Sequence, residues 1–217
     1  MAAERRPFAF QMTVLGITGG IGMGKSALGH FLTARGIPVI DADEIARQES
    51  QPQTQGLSEI VTEFGPGIVS EDGSLNRKQL ARLVFSDAEA RRRLESILHP
   101  RIERRWRGEL GELEEKGSPI AAVLIPLLFE RRYERDFGCV IAVACTRETQ
   151  RRRLSERGWS DREILDRNAA QFSIDDKMQR ARFVIWTEGC LGTHERQLDL
   201  ILGRLGSLYG RPIYSPV

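Results

Sequence analysis

Gly19-Gly20-Ile21-Gly22-Met23-Gly24-Lys25-Ser26 decides the fold. It matches G-x-x-x-x-G-K-[ST], the pattern of a phosphate-binding loop. The flanks supply the context that such a loop needs. Residues 14–18 are a short apolar run ending in glycine, which suits a buried parallel strand. Over residues 25–35, Leu28, Phe31 and Leu32 recur at helical spacing, and Gly36 is a natural stop. Residues 38–40 make a second short strand that ends in Asp41. Strand, glycine loop, helix and strand form a βαβ unit, whose right-handed crossover sets its two strands parallel.

The residue types carry a chemistry. Glycines let the backbone wrap phosphates with no Cβ in the way and with positive φ. Amides of Gly20, Ile21, Gly22, Met23, Gly24, Lys25, Ser26 and Ala27 then converge on phosphate oxygens, at the positive end of the helix from Lys25. Lys25 reaches the β and γ phosphates, and the Ser26 hydroxyl ligates Mg²⁺. No N-K-x-D sequence is present to read guanine, so the expected nucleotide is ATP.

Bulk properties set the frame. The chain has 217 residues, 41% hydrophobic and 29% charged, the composition of an ordinary soluble protein. No apolar run approaches the roughly 20 residues that a membrane helix needs. The opening MAAERRPFAFQM lacks the apolar core of a signal peptide, so the expected location is cytoplasmic, with no membrane partner. A net charge of +2 argues against general affinity for nucleic acid. Cys139, Cys145 and Cys190 suit neither a zinc site nor a disulfide framework and are read as buried, reduced thiols. Arg147, Arg151, Arg152, Arg153, Arg157, Arg162 and Arg167 crowd one stretch. They make either a solvated helix face or a local site for a polyanion.

The middle of the chain reads as helical: residues 60–64 after a polar QPQTQG, then 76–85, then 88–98 opened by a Ser86/Glu89 capping box. His99-Pro100 breaks that pattern, and residues 101–116 form a separate charged helix ended by Gly117. No strand is expected between residues 44 and 118. Strands return at residues 120–125 and 140–144. Helices follow at 147–156 and, from a Ser160/Glu163 capping box, towards Gln171. Residues 183–185 are the last strand. A terminal helix over 193–208 carries Leu198, Ile201, Leu202 and Leu205 on one side.

Asp41-Ala42-Asp43 ends the second strand, where ligands of open α/β sheets gather. Kinases that phosphorylate a hydroxyl use such an aspartate to orient it and accept its proton. Asp43 is assigned that role, against the alternative that one aspartate caps the helix near Glu44. Asp41 holds either a magnesium-bound water or the cap. On the residues alone the acceptor is a small alcohol, a nucleoside or a nucleotide. A nucleotide sensor or motor ATPase would need no acceptor base.

GITGGIGMGKS followed by GIPVIDADEIAR resembles the opening of dephospho-CoA kinases. So do DGSLNRKQLARLVFSD, the Leu98-His99-Pro100 triplet and IPLLFE at Ile125 to Glu130. The likeness runs from about Leu15 to Gly189. It implies a three-layer α/β P-loop NTPase fold with a parallel sheet, an inserted helical CoA-binding subdomain and a mobile lid. One domain is expected over 12–210, with core 12–50 and 118–210, the insert about 56–116 and the lid about 147–180. It implies transfer of the ATP γ-phosphate to the ribose 3′-hydroxyl of dephospho-CoA with Mg²⁺, by a monomer or small homo-oligomer. By the same resemblance Asp43 is the base and Arg47, one turn on, faces the acceptor. Arg77 and His99 belong to the CoA side, and Arg153 and Arg157 approach ATP phosphates as the lid closes. Arg153 joins Asp43 and Lys25 as catalytic. Two features depart from the family pattern. Ala181-Arg182 replaces an alanine-aspartate pair, and Trp186-Thr187-Glu188-Gly189 replaces an asparagine-containing stretch near the adenine. Leu124 stands where a Walker-B-like aspartate is sought, which leaves Mg²⁺ to Ser26, phosphates and waters, with Asp41 or Asp43 near.

Overall fold

The computed structural model describes residues 12–208. The opening residues 1–11 and the expected end of the domain at 210 lie outside them. The chain starts with strand β1 (Thr13–Thr18), helix α1 (Lys25–Ala34), strand β2 (Val39–Asp41) and helix α2 (Ala42–Glu49). Helices α3 (Gln55–Phe64), α4 (Arg77–Ser86) and α5 (Ala88–Glu115) follow without a sheet strand. Then come β3 (Ile120–Leu124), β4 (Cys139–Ala144), α6 (Arg147–Ser155), α7 (Asp161–Ala169), α8 (Ile174–Arg180), β5 (Phe183–Trp186) and α9 (Leu191–Leu208).

The strands form one parallel sheet in the order β2-β3-β1-β4-β5. The β1 and β2 of the βαβ unit are parallel as expected, with β3 seated between them. Strand order reverses at β1, between β3 and β4, so a crevice opens at the carboxyl end of β1. The glycine loop leaves the sheet at that point.

Helices cover both faces of the sheet. Leu28 and Leu32 of α1 and Leu198, Ile201, Leu202 and Leu205 of α9 pack with Leu15 and Ile17 on one face. Ile45 of α2 and Trp106 of α5 pack with Val123, Leu128 and Phe137 on the other. The middle strands β3 and β4 are buried throughout, which explains their unbroken apolar sequences. The helices α3 to α5 have a further apolar cluster of their own around Ile60, Leu80, Val84 and Ala90.

Three expectations are corrected. His99-Pro100 does not end a helix, because α5 runs as one helix of 28 residues with Pro100 inside it. A mid-helix proline costs about 3 kcal/mol. Packing on both sides offsets it: Leu94, Ile97 and Leu98 join the α3–α4 cluster, while Ile102, Trp106, Leu110 and Leu113 join the sheet cluster. Arg101, next to the proline, also bonds Glu59 at 2.6 Å. The cap of α5 is not Ser86, which belongs to the last turn of α4, but Asp87, whose Oδ1 accepts from the Glu89 amide at 2.7 Å. Asp87 is one residue nearer the helix and offers the stronger, charged acceptor. Cys139 and Cys145 are buried, but Cys190 is exposed, because it lies in the turn before α9 rather than in a strand. The Ser160/Glu163 capping box is present as read.

Trp106 joins α5 to the sheet. It is 1% exposed, stacked on Phe137 at 5.9 Å between ring centres, with Tyr133 edge-on at 5.6 Å. Trp106→Ala is expected to lower unfolding stability by about 3–5 kcal/mol, read from denaturant midpoints. A loss under about 1 kcal/mol would show that α5 is not held through this contact.

Candidate active site

The loop geometry follows from its glycines. Gly19, Gly22 and Gly24 have φ of 145°, 68° and 102°. A β-carbon on Gly19 would stand 2.2 Å from the Val143 carbonyl oxygen, so no other residue fits there. The helix α1 begins at Lys25 with no side chain capping it and no acidic residue in its first turn. Its amino end therefore offers positive potential to an anion. Lys25 Nζ donates to the Gly19 and Gly20 carbonyls at 2.8 and 2.9 Å. Burial pulls its pKa down to about 8, with Lys177 adding to that and Asp43 opposing it.

The two aspartates divide their roles. Asp41 Oδ1 accepts from the Asp43 amide at 2.9 Å and from Glu44 at 3.4 Å, so Asp41 is the N-cap of α2. Asp43 is left with its carboxylate on the wall of a cavity of about 720 Å³. Gly22, Gly24, Lys25, Ser26 and Ala27 line the same cavity. Desolvation raises the Asp43 pKa; the charge of Lys25 counters it, Asp41 adds to it, and Arg47 and Arg167 counter it further.

Further wall residues come from α2, α4 and α5. Arg47, Arg77 and His99 all line it. Arg47 pairs with Glu44 at 2.6 Å. Arg77 donates to Ser50 Oγ at 3.0 Å and to the Arg47 carbonyl at 3.3 Å, which ties α4 to the end of α2. His99 Nδ1 is buried without a hydrogen-bond partner. Arg157 and Arg167 close the cavity from the α6–α7 side. Arg167 lies 4.0 Å over the Trp159 ring.

Arg153 lies elsewhere. Its guanidinium donates to Thr187 Oγ1 at 3.0 Å and to the Thr187 carbonyl at 2.5 Å. Thr187 in turn bonds the Met23 carbonyl of the loop at 2.9 Å. Arg153 thus stands behind the glycine loop, while Arg157 faces the cavity. Trp186 is 39% exposed and does not fill the core.

Some participants escape a linear reading. Gln150 Nε2 donates to the Ile21 carbonyl at 2.8 Å and pairs with Asn168. Lys177 is buried against Glu130 at 2.8 Å. Glu130 belongs to the IPLLFE segment, yet nothing nearby in sequence names its partner. The one local signal is spacing: Lys177 falls on the same helix face as Ile174 and Ala181, where an apolar residue would be expected.

Among the described residues no group of three or more His, Cys, Asp or Glu could hold a metal ion. The exposed Ser26 hydroxyl is a single hard oxygen beside Asp43 in the cavity. That donor set suits Mg²⁺, which keeps several waters and takes substrate phosphates as ligands.

Comparisons with known proteins identify the family. Residues 13–191 match the model of the family described as dephospho-CoA kinase. A dephospho-CoA kinase of Bdellovibrio bacteriovorus is 43% identical over 197 residues, 91% of this chain and 98% of that protein. One of Anaeromyxobacter dehalogenans is 41% identical, over 92% of this chain and 95% of that protein. A Thermus thermophilus crystal structure at 37% identity superposes with a TM-score of 0.75, covering 90% of this chain and 98% of that one. The dephospho-CoA kinase of Campylobacter jejuni, at 23% identity and a TM-score of 0.60, shares the fold over 89% of this chain and 97% of its own. With a phosphate loop, a free carboxylate and an arginine-lined wall around one cavity, and with the family model matched over most of its length, this chain belongs to the dephospho-CoA kinase family.

Proposed function

We infer that the chain transfers the γ-phosphate of ATP to the ribose 3′-hydroxyl of dephospho-CoA, giving coenzyme A and ADP. The observation that carries this reading is the shared cavity. It places the Asp43 carboxylate, the Lys25 ammonium and the arginines of α2 and α4 around one space. A volume of about 720 Å³ is within the usual range for a small-molecule site.

The ATP phosphates lie along the amides of Gly20 to Ala27. Lys25 exchanges the Gly19 and Gly20 carbonyls for β- and γ-phosphate oxygens. The Asp43 carboxylate accepts the proton of the 3′-hydroxyl as its oxygen bonds to the γ-phosphorus. The bond from γ-phosphorus to the β–γ bridging oxygen breaks, and that oxygen leaves with ADP. Ser26 would hold Mg²⁺ together with the phosphates, and the ion would supply charge neutralisation on the triphosphate. Arg47, Arg77 and His99 bind the acceptor, whose pyrophosphate suits cations. Arg157 approaches the ATP phosphates from the cavity wall. Arg153 reaches them by exchanging Thr187 for ATP as the segment 147–180 closes as a lid. The helices at about 56–116 form the acceptor-binding insert. Among the described residues no helix is long and apolar enough to cross a membrane. A cytoplasmic monomer or small homo-oligomer is the setting that this reading takes.

Mass spectrometry of dephospho-CoA incubated with protein, ATP and Mg²⁺ tests the reading: the acceptor gains one phosphoryl group, and a panel of nucleosides does not. Transfer to a nucleoside instead would replace the acceptor. Lys25→Ala is expected to abolish turnover in a folded protein. Asp43→Asn should lower kcat by about 10²–10⁴-fold with ATP affinity by calorimetry nearly unchanged. The cap is no obstacle to this comparison, because Asp41 supplies it.

The pH profile has a defined sign. A base must be deprotonated, so activity falls on acidification through the Asp43 pKa, which desolvation holds above the ordinary 3.8. The Lys25 cation is lost as pH rises through about 8 in the free protein. The profile of kcat/KM for ATP should therefore be bell-shaped, and its acid limb should vanish in Asp43→Asn. An unchanged acid limb in that variant would assign the base elsewhere.

A further inference from the structure

Lys177 has no part in the mechanism above, yet it is a wholly buried lysine at the edge of the site. Its side chain is 0% exposed. Nζ donates to the Pro126 carbonyl at 2.6 Å and pairs with Glu130 Oε1 at 2.8 Å. Burial lowers its pKa, and Glu130 opposes that shift. A buried ammonium is costly to desolvate unless its partners are well placed. A methionine or leucine would fill the position at less cost, so packing alone does not account for a cation there.

The partners show what the cation joins. The Pro126 carbonyl also accepts from Thr18 Oγ1 at 3.1 Å. Thr18 ends β1, immediately before Gly19 of the phosphate loop. Ile125, Pro126 and Leu127 are wall residues of the cavity. Glu130 Oε1 accepts a second bond, from the Phe172 amide at 2.8 Å. Ala170 and Gln171, just before Phe172, line the same cavity. One ammonium on α8 therefore joins three things: the root of the phosphate loop, the wall after β3, and the turn between α7 and α8. These segments are far apart in sequence.

We propose that Lys177 is a positioning residue for phosphoryl transfer: through Pro126 and Glu130 it locks the cavity wall to the 170–177 segment and so sets the distance between acceptor and phosphate loop. It touches neither substrate. The proposal rests on the acceptor reading above, and its test separates the two.

The experiment uses the full chain. K177M alone leaves the Glu130 carboxylate buried without its cation, so K177M/E130Q is the working variant. The amide oxygen that E130Q provides still accepts from Phe172, and the loss is confined to the bonds of Lys177 to Pro126 and to Glu130. K177R keeps the charge with altered geometry. The double variant is expected to melt near the wild-type temperature. Its KM for dephospho-CoA should rise and its kcat fall, each by about tenfold to a hundredfold, while KM for ATP stays within about twofold. Amide exchange should quicken at residues 125–131 and 170–177 and stay unchanged in β1 and β4. K177R should show the same split at smaller amplitude, which decides the matter if the double variant does not fold. Wild-type kcat, KM and exchange in the folded double variant would overturn the proposal. So would losses that track melting temperature and fall on both substrates alike. Failure of wild-type protein to phosphorylate dephospho-CoA would sink the acceptor reading, and the exchange comparison would still decide the lock.

Discussion

The site depends on a contact that leaves no room for a side chain. Gly19 seats its α-carbon against the Val143 carbonyl of β4, where a β-carbon would lie 2.2 Å from the oxygen. The loop can leave β1 only by passing that close to its neighbouring strand. Gly22 and Gly24 repeat the constraint against Leu154 of α6 and against Thr187 after β5, at 2.8 and 3.2 Å for a hypothetical β-carbon. Positive φ at all three adds strain for any other residue. A loop encoded by eight consecutive residues is thus shaped by strands and helices that enter the chain more than a hundred residues later.

Charge around the cavity is divided rather than summed. Asp41 and Asp43 are two residues apart, and the first turn of α2 separates their fates. One carboxylate satisfies the helix amides as a cap; the other faces the cavity. Were both to face it, their repulsion would favour protonation of one. The cap removes part of that conflict, and Lys25, Arg47 and Arg167 hold down the remaining shift on Asp43. The same balance works on Lys25, which burial would discharge further without Asp43 and Asp41 nearby.

Local rules carried the sequence reading where the physics is local. The glycine loop, the buried strands and the Ser160 cap each depend on residues within one or two turns, and each is where the sequence puts it. The departures begin where distant parts decide. Pro100 breaks helices by local geometry, yet two separate apolar clusters grip α5 on either side of it. Arg153 and Arg157 share a helix spacing that suggests one role. The fold turns the first to Thr187 and the second to the cavity. The helix face of Lys177 hints at burial, but its role is not legible, because its partners Pro126 and Glu130 lie about fifty residues earlier and one of them is a backbone carbonyl.

That last feature is general in this site and explains how the loop amides are aimed. In a trans peptide the carbonyl of one residue and the amide of the next point in opposite directions. Gln150 holds the Ile21 carbonyl, and Thr187, braced by Arg153, holds the Met23 carbonyl. Each bond fixes a peptide plane from behind and turns the following amide, of Gly22 or Gly24, away from the donor. Ile21, Gly22 and Gly24 of those planes line the cavity. Met23, between the two glycines, packs its side chain into the interior. The donors sit on α6 and on the segment after β5, so the direction of these loop amides is set by parts of the chain more than a hundred residues away. The loop is therefore braced from behind through its backbone carbonyls rather than through the side chains that a motif records.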